Sequence, residues 1–257
     1  MLFRSYVSIV MKLSAKVAVI TGGSRGIGKA IAKEFKENGA SVVISGKDSE
    51  RLMKTAEEVS AYPILADIRK EVEVKNLIKK TIERFGRLDI LVNNAGIFPK
   101  IKPLHEISDL EWRDVFDVNL HGPFYATKYA IPYLQKDGGV IINIASSAGM
   151  KAYENFNADA YSASKAALVL LTKCWALEYA KNKIRVNCIC PGVVETDMTS
   201  EFLATPATRE MMNFAYPIGR FGTVNDVSKA ALYFASDEDS SWITGAVLPL
   251  DGGESLK

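Results

Sequence analysis

The chain has 257 residues, 48% of them hydrophobic and 24% charged, which is ordinary globular composition with enough length to bury a sizeable core. Its 32 basic and 30 acidic residues leave a formal net charge of +2 and are mixed along the chain, so neither a nucleic-acid surface nor an acidic tail is indicated. No window of about 20 residues is continuously apolar, which argues against a membrane span, and the first residues lack the long apolar stretch and small-residue cleavage site of a signal peptide.

Residues 1–12 precede the first strand and read as a peripheral or disordered extension, leaving 13–257 as one domain. Apolar runs at 16–21, 41–45, 62–67, 88–96, 140–146, 184–192 and 246–253 are short, rich in Val and Ile and mostly continuous, as strands buried on both faces should be. Helical patterns fill the intervals. Strand, helix and strand repeated along the chain predict a doubly wound α/β fold, a parallel sheet with helices on both faces. Gly39 should stop the first helix after Asn38, while Ser108 with Glu111 and Thr223 with Asp226 have the spacing of capping boxes. No Pro/Gly-rich linker or repeat divides the chain. The polar stretch 193–222, with Pro206 and Pro217, follows a strand end where open α/β sheets bind ligands, and is expected to form a substrate lid. Cys174, Cys188 and Cys190 lie in apolar segments without CxxC spacing and read as buried free thiols in a reducing cytosol, not as metal ligands.

"TGGSRGIG" (21–28) sits between the first strand and the first helix, where a dinucleotide-binding turn belongs. Gly22, Gly26 and Gly28 permit a tight turn, close approach to a pyrophosphate and close helix–strand packing, although the spacing is G-x3-G-x-G and not G-x-G-x-x-G. Where NAD-binding chains carry an acid at the end of the second strand, this one has Gly46 followed by Lys47, with Arg25 inside the glycine loop. Two cations and no carboxylate suit a 2′-phosphate, so NADP(H) is expected over NAD(H); Asp48, slightly beyond, weakens that preference. Asp67 has two readings, an acceptor for the adenine amino group or a turn cap.

In "YSASK", Tyr161 and Lys165 stand four residues apart and therefore share a helical face. A free phenol has a pKa near about 10, too high for proton exchange at neutral pH, and a neighbouring ammonium favours the phenolate. Small residues around the pair admit another backbone or a flat ligand. Ser146 ends the fifth apolar run, where its hydroxyl can donate to a substrate carbonyl; Ser147 is the alternate. Asn119 can hold a water that links the lysine to solvent. His105 and His121 read as surface or packing residues, and Trp112, Trp175 and Trp242 as core or interface.

With "NNAG" (93–96), "PGVVET" (191–196), Asn119 and Ser146, these motifs resemble the short-chain dehydrogenase/reductase family over the chain after Met11. The resemblance implies a seven-stranded sheet, Tyr161 as acid/base, Lys165 lowering its pKa and binding ribose, Ser146 orienting the carbonyl and Asn119 in a proton relay. It also implies cofactor contacts from Gly22, Ser24, Arg25, Gly26, Ile27, Gly28, Gly46, Lys47, Asp67, Ile68, Asn94, Ala95, Gly96, Tyr161, Lys165, Pro191, Gly192, Val194 and Thr196. Aligning "NIASSAG" with the family pattern selects Ser146 over Ser147. The gap from Ser146 to Tyr161 is slightly longer than usual, which places an insertion in 151–160, beside the substrate pocket. The expected protein is a cytoplasmic NADP(H)-dependent oxidoreductase, commonly a homotetramer, acting on a small carbonyl or secondary alcohol. A 3-oxoacyl-thioester reductase is the nearest likeness, a sugar or polyol dehydrogenase of the glucose 1-dehydrogenase kind the alternative, and a non-catalytic nucleotide-binding scaffold the remote one.

Overall fold

A computed structural model describes residues 11–154, 156–201 and 203–257. Residues 1–10 of the expected extension lie outside the described residues; Met11 and Lys12 lie exposed at the surface. Met11 packs on Gly39, Lys12 pairs with Asp239 at 2.5 Å, and Leu13 is fully buried.

Along the chain run β1 (Val17–Thr21), α1 (Gly26–Glu37), β2 (Ser41–Gly46), α2 (Ser49–Val59), β3 (Tyr62–Leu65), α3 (Glu71–Phe85) and β4 (Ile90–Asn93). Then come α4 (Asp109–Phe116), α5 (Gly122–Asp137), β5 (Gly139–Ile144), α6 (Asp159–Tyr179), β6 (Ile184–Pro191), α7 (Pro206–Ala215), α8 (Val224–Ala235), α9 (Asp237–Ser240) and β7 (Val247–Leu250). The seven strands pair in parallel in the order β3-β2-β1-β4-β5-β6-β7. Sheet growth reverses between β1 and β4, so a crevice opens there at the carboxyl ends of the strands.

Continuous apolar strands feed two cores because successive side chains point to opposite faces. Ile20, Ile44, Val92 and Ile142 pack with Phe35 of α1 and Val227 of α8, whereas Val19, Val43, Leu91 and Ile141 pack with Leu77 of α3, Leu134 of α5 and Trp175 of α6. Full burial of each such side chain stabilises the fold by roughly 1.5–3 kcal/mol. β3 and β4 end sooner than the apolar runs suggest, since amides just beyond them leave the ladder. The Asp67 N–H donates to Glu73 Oε2, and the Asn94 and Ala95 N–H groups donate to Thr21 Oγ1.

Both expected capping boxes form, Ser108 with Glu111 at α4 and Thr223 with Asp226 at α8. Gly39 adopts a positive φ of 91° just past the C-cap Asn38 of α1. Between α4 and α5 the residues Asp117–His121 form a single π turn, which carries Asn119 inward. Cys188 and Cys190 are buried on β6 with sulfurs 3.8 Å apart, but Cys174 is exposed on α6, against the expectation of three buried thiols. The face of α6 that carries it turns away from the sheet. Among the described residues no helix is long and apolar enough to cross a membrane, and no group of metal-ligating side chains converges.

Candidate active site

The glycine loop is shaped by backbone contacts. Gly22 and Gly26 take positive φ of 64° and 52°. A Cβ on Gly28 would lie 2.4 Å from both the Gly22 carbonyl oxygen and Asn94 Nδ2, so only glycine lets α1 start this close to β1. Asn94 locks the turn by donating from Nδ2 to the carbonyls of Thr21 at 2.9 Å and Gly22 at 3.1 Å. The N-cap of α1 is Arg25, whose side chain caps nothing, so the first-turn N–H groups have no side-chain acceptor and face the crevice. An uncapped, electropositive helix start behind a glycine turn fits a dinucleotide pyrophosphate.

The cofactor residues expected from the family resemblance, from Gly22 to Thr196, all line one open cleft. At the end beyond Gly46 the cleft has two more cations than the sequence suggests: Arg51, on the first turn of α2, joins Arg25 and Lys47, and Arg69 lines the same end while paired with Asp67 and Asp114. Arg25 and Arg51 approach Asp197, from the expected lid, at 3.5 and 4.0 Å, and Asp48 caps α2 by accepting from the Arg51 N–H at 3.0 Å. Asp48 therefore has a helix-capping task next to the cations. Asp67 lines the cleft and also makes the turn contact. Its carboxylate accepts the Arg69 N–H and is gripped by the Arg69 guanidinium at 2.6 Å, which holds it below the usual carboxylate range.

At the other end, Ser146, Tyr161 and Lys165 line the same cleft. The Ser146 hydroxyl faces the cleft beside the Tyr161 phenol, whereas Ser147 is buried and turns toward Glu254 at 3.4 Å, so geometry separates the two adjacent serines. Burial pushes the Tyr161 phenol above its ordinary value, and the neighbouring Ser146 hydroxyl opposes that shift. Burial likewise pushes the Lys165 ammonium down, to about 8. Lys165 donates to the Ile144 carbonyl at 2.9 Å, with Nζ 5.7 Å from the centre of the Tyr161 ring. Desolvation is the largest influence on both groups. Asn119 is fully buried, accepting from the Ile97 N–H at 2.8 Å and donating to the Ile97 carbonyl at 3.0 Å and to Ser164 Oγ at 3.2 Å. Its Oδ1 and Lys165 Nζ flank Gly96, each 3.4 Å from where a Cβ would stand.

The small residues of "YSASK" admit a neighbouring backbone, as expected: a Cβ on Gly149 would come within 2.7 Å of the Lys165 carbonyl carbon. Asn93 belongs to the scaffold, donating to Asn143 Oδ1 at 2.8 Å and Thr127 Oγ1 at 3.1 Å. His105 and His121 are exposed. An aromatic series leads outward from the phenol, with Phe98 4.9 Å from the Tyr161 ring and Phe156 5.7 Å from Phe98.

A parallel sheet whose switch-point crevice joins a phosphate turn to a Ser, Tyr, Lys constellation defines a nicotinamide-dependent oxidoreductase. Comparison narrows this to a family. Residues 22–255 match a family model described as enoyl-(acyl carrier protein) reductase. The chain is 39% identical to the 3-oxoacyl-[acyl-carrier-protein] reductase FabG of Thermotoga maritima over 249 residues, covering 95% of this chain and 99% of that one. It is also 39% identical to the L-fucose dehydrogenase of Bos taurus over 250 residues, covering 95% and 91%. A short-chain type dehydrogenase/reductase from Mycobacterium marinum superposes with a TM-score of 0.90 at 32% identity, covering 96% of this chain and 98% of that one. The chain belongs to the short-chain dehydrogenase/reductase family and is an NAD(P)-dependent dehydrogenase/reductase.

Proposed function

We propose that this protein is an NADP(H)-dependent reductase of small carbonyl substrates, most like a 3-oxoacyl-thioester reductase. The observation that carries the reading is the Ser146 hydroxyl beside the half-buried Tyr161 phenol in the cleft that also holds the glycine turn. When bound, the nicotinamide supplies or accepts the hydride at the substrate carbon. Ser146 and Tyr161 take the substrate oxygen between them: the serine polarises the carbonyl, and as its π electrons collapse onto oxygen the phenol proton passes to it. Lys165 and Asn119, on either side of Gly96, border the route by which the phenolate is reprotonated through water. Gly22 through Gly28 hold the pyrophosphate, and residues 193–222 close over the substrate as a lid.

The test is loss of NADPH absorbance with a panel of 3-oxoacyl thioesters, simple ketones and sugars. Tyr161→Phe should lower kcat by about 10²–10⁴, the usual share of general acid–base catalysis; a variant running at the parent rate would exclude Tyr161 as the proton donor. The Phe98 and Phe156 wall favours an acyl substrate. The identity shared with the bovine L-fucose dehydrogenase supports the second reading, a sugar or polyol dehydrogenase, and oxidation of L-fucose faster than reduction of any 3-oxoacyl thioester would establish it.

The NADP(H) preference rests on Arg25, Lys47 and Arg51 at one end of the cleft. Charge-assisted bonds to a 2′-phosphate should make NADPH bind at least about tenfold more tightly than NADH, a margin lost in Lys47→Ala with Arg51→Ala. Equal dissociation constants in the parent protein would remove the preference. Leu110, Phe124, Leu170 and Leu177 stand exposed on α4, α5 and α6, and their apolar faces support assembly of copies of this chain into a homotetramer. The unbonded Cys188 and Cys190 thiols suit a cytoplasmic setting.

A further inference from the structure

The stretch after β7, residues 251–257, touches two segments that border the Ser146–Tyr161 end of the cleft and are far apart in sequence. On one side is the loop that follows Ser146. The Glu254 carboxylate accepts from the Tyr153 hydroxyl at 2.9 Å and from Ser147 Oγ at 3.4 Å. Lys151 donates to the backbone carbonyls of Glu254 at 3.4 Å and Lys257 at 2.8 Å, and lies 4.8 Å over the Tyr153 ring.

On the other side is the base of the expected lid. The Ile218 N–H donates to the Gly252 carbonyl at 3.1 Å, and a Cβ on Gly252 would come within 2.7 Å of Ile218 Cγ2. Tyr216, buried beside Gly192, accepts from the Val193 N–H at 2.9 Å, so this base stands directly under the cleft wall. Asp251 stiffens the turn between the two sides by accepting from the N–H groups of Gly253 at 3.0 Å and Ser255 at 3.1 Å.

We propose that Glu254 is a positioning residue that clasps the Ser147–Tyr153 loop to the base of the lid and thereby sets the width of the substrate pocket, without touching the reacting atoms. The link to the pocket is a series of ring contacts. Tyr153 lies 5.9 Å from Phe156, Phe156 lies 5.7 Å from Phe98, and Phe98 lies 4.9 Å from Tyr161. A released Tyr153 carries this wall with it, because close-packed side chains transmit displacement. The clasp falls on the part of the chain with the extra length between Ser146 and Tyr161, where the loop's own regular structure is a single 3-10 turn at Ser147–Gly149 among the described residues. The inference rests on the assignment of Ser146 and Tyr161 as the reaction centre.

The experiment compares the parent protein with Glu254→Ala, Glu254→Gln and Tyr153→Phe. Steady-state rates are measured with the fastest carbonyl substrate of the panel above, and backbone hydrogen exchange with NADPH alone. Glu254→Ala should raise KM about tenfold with kcat within about threefold, the mark of binding lost equally in ground and transition states, and should leave the NADPH dissociation constant within about twofold. Amides of 147–153 and of 213–218 should exchange faster together, while those of 22–28 keep the parent rates. Glu254→Gln keeps an acceptor for the Tyr153 hydroxyl and should recover most of the KM, and Tyr153→Phe should fall between the two. A parent KM in Glu254→Ala, faster exchange in only one of the two segments, or an equal loss of NADPH affinity would overturn the clasp. The exchange measurement needs no turnover, so it judges the clasp even where Tyr161→Phe retains full rate and the catalytic assignment fails.

Discussion

The two ends of the cleft are built differently. At the glycine turn the geometry is made by backbone: positive φ at Gly22 and Gly26, a Gly28 with no room for a methyl group, and carbonyls tied by Asn94. At the substrate end it is made by side chains reaching across long stretches of sequence, such as Tyr153 to Glu254. A backbone-made site has few acceptable sequences and so announces itself; a side-chain-made site can be rebuilt in many ways. The first end is suited to one constant ligand and the second to changing ones.

Three substitutions sharpen this contrast, from the largest expected effect downward. Gly28→Ala forces a methyl carbon to 2.4 Å from the Gly22 carbonyl. Displacing the turn should weaken NADPH binding by about 100-fold or more and destabilise the fold by roughly 1–3 kcal/mol, both readable by titration and thermal unfolding with and without cofactor. Parent affinity in that variant would show that the turn yields more easily than its packing implies.

Lys165→Met probes the buried ammonium where the two ends meet. The folded pKa of Lys165 is pushed down to about 8 from its ordinary 10.5, so between those values the unfolded chain binds more protons than the folded one. Parent stability relative to Lys165→Met should therefore rise with pH across that window, by up to about 1.4 kcal/mol per pH unit, and stay level below it. Denaturant unfolding at several pH values checks the slope, and a flat difference would mean that the ammonium is better solvated than its burial indicates.

Gly219→Ala, next to Ile218 near the base of the proposed lid, is the mildest. Gly219 has a positive φ of 79°, but no heavy atom lies near the place a Cβ would take. The strain of a left-handed alanine should cost about 1–2 kcal/mol in stability and leave the NADPH dissociation constant unchanged. Weakened NADPH binding would contradict the division between the two ends.

The same division explains what could be read from sequence. The strands, their parallel direction and the phosphate turn follow from period and glycine spacing, because Val19 and Ile20 feed opposite cores and Gly28 tolerates nothing else. Tyr161 and Lys165 are legible from helical spacing and Ser146 from its motif. Arg51 is not, although its place on the first turn of the helix after "GKD" is a usable signal once Asp48 is seen as the cap. Asp197 reaches the cations through the lid, and Glu254 reaches Tyr153 over a separation of 101 residues, so neither contact leaves a local pattern. The exposure of Cys174 is equally hidden, because an apolar neighbourhood in sequence does not say which face of α6 is covered.

The isolated pairing of Val194 with Gly222, reinforced by the Glu195 N–H to Gly222 carbonyl bond at 3.1 Å and the Gly222 N–H to Val193 carbonyl bond at 3.0 Å, staples the two feet of the proposed lid together. A segment whose ends are joined behaves as an interchangeable cassette. Doubling its length adds only about 0.6 kcal/mol of closure entropy, so segments of other lengths and selectivities can be grafted between the same two anchor points while the sheet below is left as it is.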